Sequence, residues 1–434
     1  MKRLSQGVVS EVITMKEGTV IVLISWLVVI FISALPYRIC GLLNFSQAIF
    51  ESTSGWTTTG LTMFTDVERL PKSILFWRSL TQYLGGAGFA VIVMSTLIGP
   101  TGLGFYQAEG HVDNIMPNIR YSARLIMTYY LLYAVLGTVA LMFSGLNFFD
   151  ALNHSMTALA TGGFSTKSMS VAAFNNFVAE LILILLMFIG ATGFGIHHTF
   201  WSKDWYALKK NSEPRQMITL ILLGGFCISL AGVGKFFPNW SEALRHGFFQ
   251  VVSALTGTGF STVDLKAWLF FPTGLFVLII LMLMGGCMDS TSGGIKQYRI
   301  TVLLKTLRFS IKKFLLPKNS VVYVEIWKGS VKRYLDLQLV KEAFMIGSAY
   351  ILSYIVGTFV LTLIGYDLGQ AMFEFASALA GVGLSCGVTS PNMPLGAMWT
   401  LTLGMFMGRL EFFVVIYAFA KIFSDLLGPL RKKT

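Results

Sequence analysis

The sequence predicts an all-α polytopic membrane protein in which four pseudo-symmetric helix–loop–helix repeats surround a central path. Three observations predict it. The 434 residues are 54% hydrophobic and only 12% charged, against roughly 25% charged in an ordinary soluble domain. The apolar residues fall into eight long uncharged runs, each able to cross a hydrocarbon core of about 30 Å. And one short glycine string is written four times, as TTTGLT (57–62), ATGGFS (160–165), TGTGFS (256–261) and AGVGLS (380–385).

Taken in order, the chain opens MKRLSQGVVSEVITMKEGT. This is too polar before Thr19 to supply the apolar core of a signal peptide, so the run beginning near Val20 is expected to span. The runs lie at about 19–41, 72–99, 124–145, 174–200, 216–236, 267–288, 342–364 and 396–423. Between the members of each pair lies a segment of about a dozen residues: FSQAIFESTSGW, FFDALNHSMTAL, ALRHGFFQVVSAL and LGQAMFEFASAL. These are half-length and carry polar side chains. They read as four re-entrant pore helices, because irregular backbone at membrane depth survives only where protein or water surrounds it. Two crossings per unit return the chain to its starting side, so all four units share one orientation. The predicted repeats are 1–110, 111–212, 213–335 (with an intramembrane loop at 285–297) and 336–434, which ends in the short cytoplasmic tail LLGPLRKKT.

Charge orients the array. Of the 33 Lys and Arg, about 24 lie on one side: the N-terminus, the 100–124 and 201–215 loops, the 296–341 segment and the tail. By the positive-inside rule both termini are cytoplasmic and the glycine loops enter from outside. The net charge of +12 is thereby explained by cytoplasmic loops, without nucleic acid. The basic stretch 305–341 has two readings, a loop held by anionic membrane lipid or a docking surface for a soluble partner. Cys40, Cys227, Cys287 and Cys386 have neither CxxC nor Cys/His spacing, so a metal site or disulfide framework is not expected. His154, His197, His198 and His246 have no nucleophile or metal constellation beside them, so the protein is not read as an enzyme.

Loops of small and hydroxyl residues can offer rings of backbone carbonyls to a dehydrated ion. Gly60, Gly163, Gly259 and Gly383 stand at the fourth position of each copy and permit backbone angles that a side chain forbids. Six positions earlier sits a hydroxyl: Ser54, Thr157, Ser253 and Ser377. No loop carries a carboxylate, which argues against a calcium-type ring. The expected filter is Thr58, Thr59 and Gly60; Thr161, Gly162 and Gly163; Gly257, Thr258 and Gly259; Gly381, Val382 and Gly383, with a potassium ion held among them and no other cofactor. The hydroxyls of Thr58, Thr62, Ser165, Ser261 and Ser385 are read mainly as braces.

About 25 residues further on, each unit has a second glycine inside its second span: LGGAGF (84–89), IGATGF (189–194), MGGCMD (284–289) and MGRLEF (407–412). Two copies depart from the pattern. Arg409 stands where the others have Gly86, Ala191 and Gly286, and a charge there is costly unless it faces water or a partner. It is expected to form a barrier in the pore; pairing with Glu411 is the alternative. In the third copy Gly285, Gly286, Cys287, Met288, Asp289, Ser290, Thr291, Ser292, Gly293 and Gly294 would break any helix. They read as a gate beneath the filter, with a plain exit loop as the alternative. The first two copies are expected to continue as plain helix.

Together these strings resemble the Trk/Ktr/HKT superfamily of potassium transporters over nearly the whole chain. The four filter strings, WRSLTQYLGGAGF (77–89), MGGCMDSTSGG (284–294) and MGRLEFF (407–413) carry the resemblance. It implies potassium uptake through a four-loop filter, an intramembrane gate in the third unit and a controlling Arg in the last span. Members favouring sodium carry Ser at the position of Gly60, so the resemblance points to potassium. The Trk type usually has two further N-terminal helices, so the chain looks closest to the Ktr-type (KtrB-like) membrane subunit. That type is a homodimer in the bacterial plasma (inner) membrane, seated on a ring of cytosolic nucleotide-binding (RCK-type) regulatory proteins and often stimulated by sodium. The chain itself has no Rossmann or Walker fingerprint. A secondary transporter of another monovalent cation or small solute is the alternative.

Overall fold

In the computed structural model the chain is a mostly helical protein of membrane type, described over residues 15–88, 119–317, 322–328 and 331–431. The helices are α1 (Met15–Ile39), α2 (Phe45–Trp56), α3 (Lys72–Ala87), α4 (Ile119–Phe143), α5 (Phe148–Leu159), α6 (Phe177–Gly190), α7 (Phe194–Trp201), α8 (Trp205–Lys210), α9 (Ser212–Gly232), α10 (Trp240–Thr256), α11 (Pro272–Met284), α12 (Gln297–Leu315), α13 (Leu337–Ile364), α14 (Leu368–Leu379), α15 (Leu395–Arg409) and α16 (Phe413–Arg431). The end of the 72–99 run, most of the 100–124 loop and the boundary expected at 110 lie outside the described residues.

Three of the half-length helices form where their strings begin and that of the third unit starts three residues earlier, at Trp240, because each is preceded by an Asn or Asp. Asn44, Asn147 and Asn239 accept from the backbone N–H three residues on, satisfying one of the donors that every helix start leaves open. Asp367 holds the same position before α14. The long helices α1, α4, α9 and α13 contain the segments Lys16–Ile39, Ser122–Phe143, Ser212–Gly232 and Leu337–Ile364, each long and apolar enough to span unbroken. Their outward stripes are bare hydrocarbon: Ile24, Val28, Phe31, Ile32 and Leu35 on α1 are exposed, as a lipid-facing surface requires.

Each half-length helix packs between its own two flanking helices and also against one from elsewhere: α3 on α5, α6 on α10, α11 on α14, and α15 on α2. These contacts run in a closed cycle. Close approach needs glycine. A Cβ on Gly85, Gly190 or Gly408 would stand 2.1, 2.2 or 1.9 Å from the carbonyl oxygen of Trp56, Leu159 or Leu379, the last residues of α2, α5 and α14. In the third unit Gly285 meets the Gly293 oxygen instead, at 2.1 Å, so the chain has folded back on itself there.

Three expectations are corrected. The eight spans are not eight unbroken helices: among the described residues four are, and α6–α7 and α15–α16 are bent pairs at 103° and 96°. Plain helix does not continue past the second glycine of the first two units, since α3 ends at Ala87 before Gly88 (φ +85°) and α6 ends at Gly190. The reason is steric. The turn at 191–193 leaves room for the 286–291 backbone, and a Cβ on Gly193 would lie 2.4 Å from the Met288 oxygen. Nor is the fold wholly α. Within the basic stretch β1 (Glu325–Lys328) and β2 (Val331–Tyr334) pair antiparallel, Glu325 opposite Tyr334.

Gly408→Ala is expected to lower the melting temperature of the detergent-solubilised protein, since overpacking against backbone costs about 1–3 kcal/mol. Gly347→Ala, on α13 with nothing within 4 Å of the added carbon, is expected to leave it unchanged or raise it. A thermal-shift series compares the two.

Candidate functional site

The four glycine strings meet in a ring. A Cβ on Gly60 would stand 2.3 Å from the Gly162 oxygen, one on Gly163 2.1 Å from Thr258 O, one on Gly259 1.9 Å from Val382 O, and one on Gly383 2.0 Å from Thr59 O. Each glycine thus lies on the carbonyl of the next loop, and the fourth closes on the first. All four are left-handed (φ +96°, +71°, +85° and +91°), as are the residues two before them, Thr58, Thr161, Gly257 and Gly381. Alternating handedness turns successive backbone groups to one side, the geometry of an ion-binding concavity. The residues between accept no strain, because Thr59, Gly162, Thr258 and Val382 each donate N–H to Ser54 O, Thr157 O, Ser253 O and Ser377 O at 2.8–2.9 Å. The twelve residues expected as a filter are therefore brought together. Above them the ring glycines, with Thr62, Ser165, Ser261 and Ser385, line an open cavity of about 410 Å³.

The hydroxyls do brace. Gly60 N–H donates to Ser54 Oγ and Gly383 N–H to Ser377 Oγ, both at 3.0 Å. Ser253 Oγ donates to Phe260 O at 2.7 Å, while Thr157 bonds back into its own helix. The larger brace was not anticipated. Nine residues before each ring glycine stands Glu51, His154, Gln250 or Glu374, fully buried, and each bonds the hydroxyl two residues after it. The distances are 3.0 Å to Thr62, 2.9 Å to Ser165, 2.9 Å to Ser261 and 2.8 Å to Ser385. The signal was a polar residue at the same offset in every copy. Arg78 completes the first brace: it donates to Glu51 at 2.8 Å, Thr62 Oγ1 at 2.9 Å and the Ser165 oxygen, with its guanidinium 4.1 Å from the Phe164 ring centre.

Beneath the ring lies the 285–294 segment, irregular as its composition predicts. It is stitched to the second and fourth units and to the start of its own unit, largely through backbone groups. Cys287 N–H donates to Ala191 O at 2.9 Å, Phe194 N–H to Asp289 O at 3.1 Å and Met288 N–H to the Glu213 carboxylate at 2.7 Å. Thr291 Oγ1 reaches Gly190 O (2.9 Å) and Thr161 Oγ1 (3.0 Å) of the second unit. A Cβ on Gly293 would lie 2.0 Å from the Ala380 oxygen of the fourth. Lys328 of β1 pairs with Asp289 at 2.8 Å.

Arg409 joins the same layer. Its guanidinium donates to Thr291 O at 2.8 Å, Gly85 O at 2.5 Å and Thr58 Oγ1 at 3.3 Å, so one side chain ties the fourth unit to the third and the first. The ion pair of Glu411 is with Arg299, at 2.5 Å, across the helix break. Left-handed Glu411 and Phe412 make that break with neither Gly nor Pro, which is why the run looked continuous in sequence. A polar cavity of about 60 Å³ below is lined by Asp289, Ser290, Lys296, Arg409 and Glu411. Among the described residues no cluster of metal-ligating side chains occurs, and Cys287 and Cys386 are buried free thiols.

Comparison with known proteins gives the fold a lineage. The chain is 33% identical to an uncharacterized cation transporter of Methanocaldococcus jannaschii, covering 94% of this chain and 83% of that one. It is 32% identical to the Trk system potassium uptake protein TrkH of Halomonas elongata, over 94% and 86%, and 32% identical to TrkH of Escherichia coli, over 94% and 86%. The crystal structure of the potassium transporter TrkH from Vibrio parahaemolyticus superposes with a TM-score of 0.79 at 28% identity, over 92% of this chain and 84% of that one. The superfamily expected from the motifs stands, while these potassium relatives are of Trk rather than Ktr type, a shift within it. These relatives are cation transporters and not enzymes. The model of the TrkH family, described as cation transport protein, matches residues 5–222 and 237–426: this multi-pass membrane protein belongs to the TrkH cation transport family.

Proposed function

We propose that the chain takes up potassium across the plasma membrane of a bacterium as the membrane subunit of a Trk-type system. Four helix–pore loop–helix repeats, bounded near 110, 212 and 335, surround the path. The four glycine loops are its selectivity filter, with Thr58–Gly60, Thr161–Gly163, Gly257–Gly259 and Gly381–Gly383 presenting carbonyl oxygen to a dehydrated potassium ion. The single observation that carries this reading is the closed glycine-on-carbonyl ring at the floor of an open cavity. The twelve ring residues themselves carry no charged side chain and offer backbone oxygen and hydroxyls, a neutral, multi-oxygen surround that suits a large monovalent cation.

Residues 285–294 act as the gate, and Arg409 as the fixed charge that holds it shut. A cation leaving the ring meets the guanidinium and the backbone it grips. Passage requires the loop to leave the 190–194 and Ala380 contacts together, and freeing Arg409 from Thr291 is part of that step. The chain pairs with a second copy and couples to a cytosolic nucleotide-binding ring, with the basic 305–341 stretch as the docking surface. Lys328, pairing with Asp289, ties that stretch to the gate.

The test is growth. Co-expressed with its soluble partner in a bacterial host lacking potassium uptake, the chain is expected to restore growth at limiting potassium. No rescue, with the protein inserted and the partner present, would overturn the reading. Gly60→Ser puts a Cβ against the Gly162 oxygen and displaces a neighbouring loop. The expected outcome is a several-fold loss of potassium-over-sodium discrimination in tracer flux; unchanged selectivity would remove Gly60 from the filter. Arg409→Ala is expected to raise basal flux and weaken its dependence on the partner. A folded variant with wild-type flux and wild-type partner dependence would make Arg409 a structural tie alone.

A further inference from the structure

The four braces behind the glycine ring are alike in position and in the hydroxyl they bond, and unlike in charge. Gln250 is neutral, and His154 sits in the corresponding place behind the second loop. Glu51 is matched by Arg78 at 2.8 Å, both fully buried. Glu374 differs from all three. It is 0% exposed, and among the described residues it forms no ion pair.

Its oxygens are instead filled by the loop it supports. Oε1 accepts from Ser385 Oγ (2.8 Å), Thr389 N–H (2.9 Å) and Thr389 Oγ1. Oε2 accepts from Cys386 N–H at 3.1 Å and from Cys386 Sγ. Each oxygen takes a backbone N–H, which can only donate, so the site is built for the ionised carboxylate. The charged neighbours are few. Lys266 runs its methylenes past Gly387 on the cavity wall, and Asp264 shares that wall. Asp150, a buried acid behind the second loop, borders a separate cavity that Lys72 and Lys167 line.

We infer that Glu374 is the positioning residue that sets cation affinity at the ring. Its unneutralised charge favours a cation beside Val382 and Gly383, and its five hydrogen bonds fix the loop that presents those carbonyls. This rests on the filter reading above. In an effective dielectric of about 20, a unit charge about 10 Å away changes cation binding on the order of tenfold. The fourth loop thereby becomes the strongest quarter of an otherwise even ring.

The test uses the internal precedent. Gln250 holds the same position behind the third loop, donating Nε2–H to Ser261 Oγ at 2.9 Å, so an uncharged amide is accommodated there: Glu374→Gln removes the charge and keeps a side chain able to bond the loop hydroxyl, and Gln250→Glu adds a charge. Full-length protein in detergent is titrated with potassium chloride against choline chloride, and the potassium-dependent rise in melting temperature gives Kd. Glu374→Gln is expected to raise Kd about tenfold and Gln250→Glu to lower it. If either folded variant binds potassium as the wild type does, while only its potassium-free melting temperature moves, Glu374 is a structural brace and the inference is overturned. If Glu374→Gln does not fold, Gln250→Glu decides alone. A wild-type protein without potassium-dependent stabilisation would fail the filter reading itself, a result distinguishable from the other.

Discussion

Each ring glycine lies on the carbonyl oxygen of the next loop, and the position of every other group near the centre follows from that contact. The spacing leaves no room for a side chain at Gly60, Gly163, Gly259 or Gly383. It also makes the loops mutually dependent, because moving one carbonyl removes the seat of its neighbour. A left-handed turn at two positions per loop, some of it in threonine rather than glycine, carries a conformational cost. The surroundings hold it with redundant bonds: a backbone bond to the half-length helix, a hydroxyl, and the buried brace nine residues upstream.

The second layer applies the same rule to a harder problem. Broken helices leave donors and acceptors open at membrane depth, where no lipid can satisfy them. The breaks near Gly190 and Gly285 satisfy one another, N–H of one segment to C=O of the other. Arg409 fills three oxygens that the first and third units leave. An irregular loop is thereby tolerated inside the membrane, and it is tolerated in one position. Its apolar packing is confined to Cys287 and Met288, and the rest of the segment is held by polar contacts.

Buried or half-buried ion pairs recur at these junctions. Arg78 with Glu51, Arg299 with Glu411 and Lys328 with Asp289 each join segments distant in sequence. Such pairs add little net stability, since desolvation offsets attraction. Breaking one partner away is costly, so they fix which surfaces meet. The Lys328 pair does this between the β1–β2 hairpin and the loop beneath the ring.

Much of this was legible in the sequence. Four glycine strings at one topological position, each after a half-length amphipathic segment, determined the ring, its twelve residues and the oddity of 285–294 and Arg409, because periodicity and the need to span a membrane leave few other arrangements. The order in which loops touch was not legible, nor was the identity of the brace, since Glu51, His154, Gln250 and Glu374 share an offset but no chemistry. The helix breaks at 191–193 and 410–412 were hidden in continuous apolar runs. Only the tertiary structure decided them: at 191–193 the 286–291 segment occupies the space a straight helix would need, and at 410–412 left-handed Glu411 and Phe412 turn the chain where Glu411 meets Arg299.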